Sequence, residues 1–266
     1  MLLPVDIEWV WRPLVHAALI GCLFAPLEWL LPEREPEPGA EPEPLASPRR
    51  RTDAAFATIG AVLTEIALFL VLGWTLAQAG RWTPEALVTW EPPLWLSLAA
   101  GLLIFELAGY AYHRAAHALP LLWRLHRVHH SAPRMDWLAS FRQHPVEIVL
   151  VTLAQNLPLV LLGIPLGAHA LVVVLLTVNT AFVHSDLRVN LGPLRGLVAT
   201  PRFHHRHHDR AGAPRNFAAL LPAIDLLFGT YSDERATDFG VDEPTPTSFW
   251  GLLASPFGRR QRGALR

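Results

Sequence analysis

The chain contains a single cysteine, Cys22, and no lysine: all 22 of its basic residues are arginine. One cysteine excludes a disulfide framework and a cysteine-built zinc site. Cys22 sits in an apolar run and reads as a packing or lipid-facing residue. Charge is also scarce, at 17% of residues against 52% hydrophobic, a balance that points to a polytopic membrane protein rather than to soluble domains. With a net charge of −1, no strongly basic domain is available to neutralise phosphates, which argues against a nucleic-acid partner. Several catalytic signatures are missing as well. Ser131, Ser140 and Ser185 lie near histidines, but none occupies a Gly-x-Ser-x-Gly turn. There is no His-Glu-x-x-His and no Gly-x-x-x-x-Gly-Lys, so hydrolytic and nucleotide-driven chemistry are both weakly supported.

Five apolar stretches are long enough, or nearly so, to cross ~30 Å of hydrocarbon as helices. They run over 13–31, 54–80, 94–112, 146–163 and 167–184. No basic region precedes the first, and no small-residue cleavage site follows it, so it is expected to be a retained span. Glu33 to Asp53 holds EREPEPGAEPEP and then Arg49-Arg50-Arg51. Proline at that density disfavours a helix, and the segment is expected to be a solvated linker. The fourth and fifth stretches meet at a turn around Gly163, Pro165 and Gly167, and are expected to form a helical hairpin. The expected organisation is an N-terminal transmembrane helix (1–31), a linker (32–53), a membrane domain (54–232) and a cytoplasmic tail (233–266).

What the chain has in abundance is histidine, with 13 residues. His113 and His117 are four apart; His126, His129 and His130 follow; a third box holds His204, His207 and His208; His144 and His184 stand between. On a helix, positions i, i+3 and i+4 share a face, so each box gathers its imidazoles in a small volume. Neutral imidazole is the commonest metal ligand. Counting crossings tests the idea. His113 to His130 follow the third span, His144 precedes the fourth, and His184 to His208 follow the fifth, so all ten emerge on one side. His16 and His169 fall away from that side and read as interfacial or packing residues. Arginine clusters with the ten histidines, and only Arg12 and Arg81 are left at the other face. The positive-inside rule therefore puts the histidines in the cytoplasm and the N-terminus outside. Abundant arginine and alanine hint at a GC-rich bacterial genome, which makes the bacterial inner membrane the expected location.

Glu106, Tyr110, His113 and His117 lie on one stripe of the third span. Glu106 is either a partner of the ligands or a buried anchor, and Glu147, just after His144-Pro145, has the same two readings. Asp186 and Asp209 are candidates to orient a ligating imidazole through its second nitrogen. Imidazole suits iron, zinc, copper and nickel alike. Number discriminates better: structural zinc needs four ligands, whereas ten histidines supply about five to each of two ions. Open positions on redox-active ions would suit dioxygen chemistry on unreactive C–H bonds. A metal-transporting or metal-binding membrane protein without oxygenase activity is the alternative, but it would place polar groups through the depth of several spans. Bis-histidine haem needs ligands on facing helices rather than adjacent His-His pairs.

The segments YAYHRAAH, LWRLHRVHHSA, RQHPVE, FVHSD, TPRFHHRHHD and RNFAALLPAIDLLFGTY together resemble the fatty acid hydroxylase and sterol desaturase superfamily of membrane di-iron oxidoreductases, over about 94–232. The resemblance implies an all-α polytopic membrane fold with four to five transmembrane helices and a cytoplasmic helical cap carrying the histidine boxes. It implies two iron ions, dioxygen as co-substrate, a lipid substrate (sterol, fatty acyl chain or related lipid), and electrons from a separate partner, a ferredoxin or a b-type cytochrome with its reductase. Hydroxylation and desaturation both remain open. The ligand set carried over comprises His113, His117, His126, His129, His130, His204, His207 and His208 from the boxes, with His144 and His184 between them. His205 is an extra imidazole and stays outside the set. The chain departs from the family pattern at Asn216-Phe217-Ala218, where Asn-Tyr-Gly is usual, and at Thr180, where some branches carry a histidine.

Overall fold

The computed structural model describes residues 8–34, 43–79, 93–164 and 166–258. The proline-rich stretch at 35–42, Arg81, Pro165, the side chain of His169, and Arg259, Arg260 and Arg262 lie outside the described residues. Among those described, all regular structure is helical, with only two isolated antiparallel bridges, Pro32 with Leu187 and Asp209 with Phe239. The helices are α1 (Glu8–Leu30), α2 (Pro48–Ala55), α3 (Ala61–Ala79), α4 (Leu94–Ala118), α5 (Pro120–His130), α6 (Pro145–Leu161), α7 (Leu166–His184), α8 (Pro201–His207), α9 (Ala223–Phe228) and α10 (Phe249–Ala254). A single π turn, Phe56–Gly60, joins α2 to α3, so the two run on as one rod.

Among the described residues, three helices are long and apolar enough to cross a membrane: Trp11–Leu30, Pro48–Val71 and Leu94–Ala118. Of the other two stretches expected to span, α6 is an apolar helix of 17 residues and α7 an apolar helix of 19. At 1.5 Å rise per residue, the 17 residues of α6 reach about 26 Å, short of the ~30 Å hydrocarbon core. α6 lies between α3 and α4; α4 also packs on α7, and α1 touches both α3 and α7. Phe105, Leu159, Ile164, Val172 and Leu176 form the shared core of α4, α6 and α7. α4 and α6 approach closely at Gly109, where an added Cβ would lie 2.5 Å from the Gln155 amide nitrogen. Gly163, at φ +68°, reverses the chain after α6, the left-handed conformation glycine adopts at no steric cost. Large apolar side chains such as Leu19, Leu23, Ile66, Leu70 and Leu103 are exposed on the long helices, as expected of surfaces solvated by lipid.

One expectation needs correction. The segment read as a solvated linker becomes helical at Pro48, where proline occupies the first helical position and its missing N–H costs nothing. Ser47 caps the helix by accepting from the Arg50 amide. Arg49 is not solvated: its guanidinium is paired with Glu43, Asp53 and Asp136. The described part of the expected tail, 233–258, packs on the rest of the protein. It folds back through α10, whose Phe249 and Leu252 are buried against Phe56 and Val128, while the Thr52 hydroxyl donates to the Thr247 carbonyl.

Candidate metal centre

Four helices present histidines to one buried volume. α4 carries His113 and His117 near its end; α5 carries His126, His129 and His130; α7 ends on His184; α8 carries His204 and His207, with His208 directly after it. The one-face rule predicts convergence within each box, but the tertiary arrangement does something subtler by dividing the boxes. His126 and His130 of α5 join His113, His117 and His207 in a group of five, whereas His129 turns to His184, His204 and His208 in a group of four. Within each group the potential ligand atoms lie within 4.8 Å of one another. The groups touch through His130 and His208, whose rings stack at 4.3 Å.

In five of the nine rings the second nitrogen is tied down. His113 Nδ1 donates to the Phe217 carbonyl (2.7 Å), His129 Nδ1 to Arg142 (3.1 Å), His184 Nδ1 to Thr180 (2.7 Å) and His207 Nδ1 to Arg215 (2.8 Å). A carbonyl only accepts, so in these four rings the proton sits on Nδ1 and Nε2 is a bare lone pair. Yet His184 Nε2 faces His129 Nε2 at 3.0 Å. Two lone pairs at that distance repel unless a cation lies between them, so the donor set fits a metal. Burial pushes His126, His129, His130, His204, His207 and His208 well below the ordinary imidazole range. These rings are therefore neutral and ligand-competent at physiological pH. The Nδ1 atoms of His204 and His208 are buried without a hydrogen-bond partner.

Nine of the ten histidines expected as ligands are thus brought together, and His144 is not. It caps α6: Nδ1 accepts from the Val146 amide at 3.2 Å and Nε2 donates to the Leu253 carbonyl at 3.1 Å, which commits both nitrogens. His205 lies outside both groups, with Nε2 on the His184 carbonyl and its ring edge-on to Phe239.

The carboxylates sort themselves too. Glu147 takes the orienting role, with Oε1 on His126 Nδ1 at 2.5 Å. Glu106 is an anchor: Oε2 accepts from the Leu220 and Leu221 amides and so pins the loop before α9 to α4. Asp186 and Asp209 do not orient imidazoles. Asp186 pairs with Arg34 and Arg134, and Asp209 accepts from the Ala211 amide.

Sequence reasoning missed three supports. Four of the orienting groups are backbone carbonyls, which carry no residue-type signal. A second support is the buried pair of Arg142 Nε with Asp53 Oδ1 at 2.6 Å, which clamps the residue whose carbonyl holds His129. The third is the loop after α8. Asn216 adopts φ +57°, a conformation asparagine tolerates better than most residues. Its side chain donates to the Phe203 and Ser232 carbonyls and accepts from the Ser232 amide. Asp225 accepts from the Phe217 and Ala218 amides and from Thr230 Oγ1. Together they place Phe217 edge-on to His113, His117 and His207.

Comparison with known proteins gives the family of the chain. The fatty acid hydroxylase family profile matches residues 98–230, which is half of the chain. The chain belongs to that family. It is 31% identical over 175 residues to an ornithine lipid hydroxylase from Rhizobium tropici, covering 64% of this chain and 53% of the relative. It is 29% identical over 162 residues to a human alkylglycerol monooxygenase, covering 59% and 35% respectively. A fatty acid hydroxylase from a Lecanicillium species is 27% identical over 164 residues, covering 54% and 44%. The chain thus spans about half or less of the length of these relatives. No solved structure matches it significantly.

Proposed function

We propose that this integral membrane protein is a dioxygen-dependent lipid hydroxylase with two iron ions held by nine histidines. His113, His117, His126, His130 and His207 would hold one ion, and His129, His184, His204 and His208 the other. The observation that carries the reading is the facing pair of unprotonated Nε2 atoms on His129 and His184, repeated in kind across both groups. More than four imidazoles in one group exceeds what a structural zinc takes. The bound ions would supply the redox chemistry that inserts one oxygen atom of O2 into a lipid C–H bond, while the other leaves as water with two electrons and two protons from an external donor.

The protein's own contribution is geometric and electrostatic. Backbone carbonyls would hold His113, His129, His184 and His207 in the tautomer that offers Nε2, and Glu147 would orient His126. Burial keeps the rings neutral, and the surrounding helices exclude bulk water. Electrons would come from a separate ferredoxin or b-type cytochrome with its reductase. Hydroxylation is favoured over desaturation because the relatives above are named hydroxylases and monooxygenases. The names of those relatives, an ornithine lipid and an alkylglycerol, also favour a polar membrane lipid as substrate.

The test is elemental analysis of detergent-purified protein, followed by lipid mass spectrometry of cells with and without the gene. Two irons per chain and lipids heavier by one oxygen are expected. Haem, or a folded protein without tightly bound transition metal, would overturn the proposal.

A further inference from the structure

A groove of about 530 Å³ runs between α4 and α9, lined by Leu107, Tyr110, Ala111, Arg114, Ala118 and Phe228. Its size lies within the range of ligand-binding clefts. Alanines at the floor leave room that larger residues would fill. The groove continues a membrane surface: Leu103, Leu107, Ala111, Arg114 and Ala118 form one exposed stripe along α4, a helix long and apolar enough to cross the bilayer. On its far side, where Phe228 lines it, an apolar collar lies outside the long helices. Leu226, Leu227 and Phe228 of α9 are exposed, as are Leu194, Leu197 and Val198 of the segment beside it. The two stretches are neighbours, since a Cβ on Gly196 would lie 3.3 Å from Leu226. Six large apolar side chains on short elements form a patch that water would penalise and a bilayer would accept.

Behind the groove lies the candidate metal centre. Phe228 stacks on Tyr110 at 5.1 Å, Tyr110 meets Phe217 edge-on at 6.0 Å, and Phe217 meets His113 at 5.7 Å. Two aromatic rings therefore separate the groove from the five-histidine group. Arg114 stands at the rim, exposed, with Nη1 on the Tyr110 hydroxyl. A single cation at the end of an apolar trough matches a molecule with a long hydrocarbon part and an anionic oxygen at one end.

We propose that this groove admits the hydrocarbon chain of a membrane lipid sideways from the bilayer, with Arg114 on an anionic oxygen of its headgroup and Tyr110 and Phe217 as the wall through which the reacting carbon reaches the metals. The assignment deepens the hydroxylase reading and rests on it. Tyr110 joins the three parts, because its ring stacks on Phe228 while its hydroxyl bonds Thr230 and Arg114. A headgroup that draws Arg114 away would release one of those bonds.

The experiment uses the full chain in vesicles of phosphatidylethanolamine and phosphatidylglycerol containing a phospholipid with a diazirine on its acyl chain. After photolysis, labelled peptides are located by mass spectrometry, and iron content and turnover are measured on the same preparation. Labelling of 107–118 and 226–228 is expected to exceed that of the exposed Leu19 and Leu23 face of α1. Ala111→Trp and Ala118→Trp, both at exposed positions, should abolish the excess labelling and lower kcat/KM by about tenfold or more with iron content unchanged. Leu23→Trp should change neither. Labelling no greater than on α1, or turnover that survives both tryptophans with iron retained, overturns the groove assignment. An Ala111→Cys disulfide between two copies, with no lipid label, would assign the groove to a second copy and also overturn it. Groove labelling in a protein without iron or turnover would support the groove and refute the hydroxylase reading instead.

Discussion

Each imidazole in the centre has two nitrogens with different tasks, and single substitutions can separate them. Removing an Nε2 removes a ligand: His184→Ala should empty the four-histidine group while leaving the five-histidine group able to load, so iron content should fall by about half. His144→Ala should keep full iron and lose the α6 cap and the bond to Leu253, with the cap alone worth about 1 kcal/mol of stability, readable as a lower Tm in detergent. Retained iron in the first variant, or lost iron in the second, would contradict the assignment. Glu147→Gln tests the Nδ1 side. It preserves shape and an accepting oxygen but replaces the carboxyl that faces His126, and it should weaken iron affinity by about 10- to 100-fold, measured by competition with a chelator. Burial also has a pH consequence for the metal-stripped protein. The rings of His126, His129, His130, His204, His207 and His208 have folded pKa values below 6.5, so below that pH the unfolded chain binds more protons than the folded one. Their contribution to stability is thus complete above about pH 6.5 and lost as pH falls through the depressed values. Thermal unfolding of chelated protein should show a lower Tm at pH 5 than at pH 8.

At the scale of elements, α2 matters more than its composition suggests. Its Asp53 is buried and pairs with both Arg49 and Arg142, and the Arg142 carbonyl receives His129. Asp53 lies outside the family match, yet it braces a member of the four-histidine group. Asp53→Ala leaves a buried guanidinium without its partner, a loss of about 3–5 kcal/mol. The expected result is a large fall in Tm, with iron lost first from the four-histidine group. Asp53→Leu combined with Arg142→Met, which removes both charges, should restore much of the Tm without restoring the His129 geometry. Equal iron loss from both groups would separate α2 from this role. The helix was hidden in the sequence because proline lowers helical expectation over the whole EREPEPGAEPEP neighbourhood, whereas Pro48 at the first position favours a helix start. Asp186 and Asp209 were misread for a related reason. Proximity in sequence to a histidine does not say which way a carboxylate turns, and arginines distant in sequence (Arg34 and Arg134) claimed Asp186.

For the whole molecule, arginine asymmetry predicts the side on which the centre lies, and that prediction can be measured. In a Cys22→Ala background, Leu45→Cys lies on the histidine side and Leu94→Cys at the opposite end of α4, both exposed. A membrane-impermeant thiol reagent applied to intact cells should label residue 94 and spare residue 45; the reverse pattern would place the centre outside. The sequence by itself determined the helical membrane class and pointed to ten candidate histidines, nine of which the fold gathers, because helical periodicity and the parity of crossings depend only on spacing along the chain. Tertiary structure alone decided how the boxes divide into five and four, that His144 serves as a cap, and that Glu147 rather than Asp186 or Asp209 orients a ring. It also decided that the segments flanking the family match brace the centre. Those outcomes depend on which helix faces which, and on backbone carbonyls and buried ion pairs that join residues far apart in sequence.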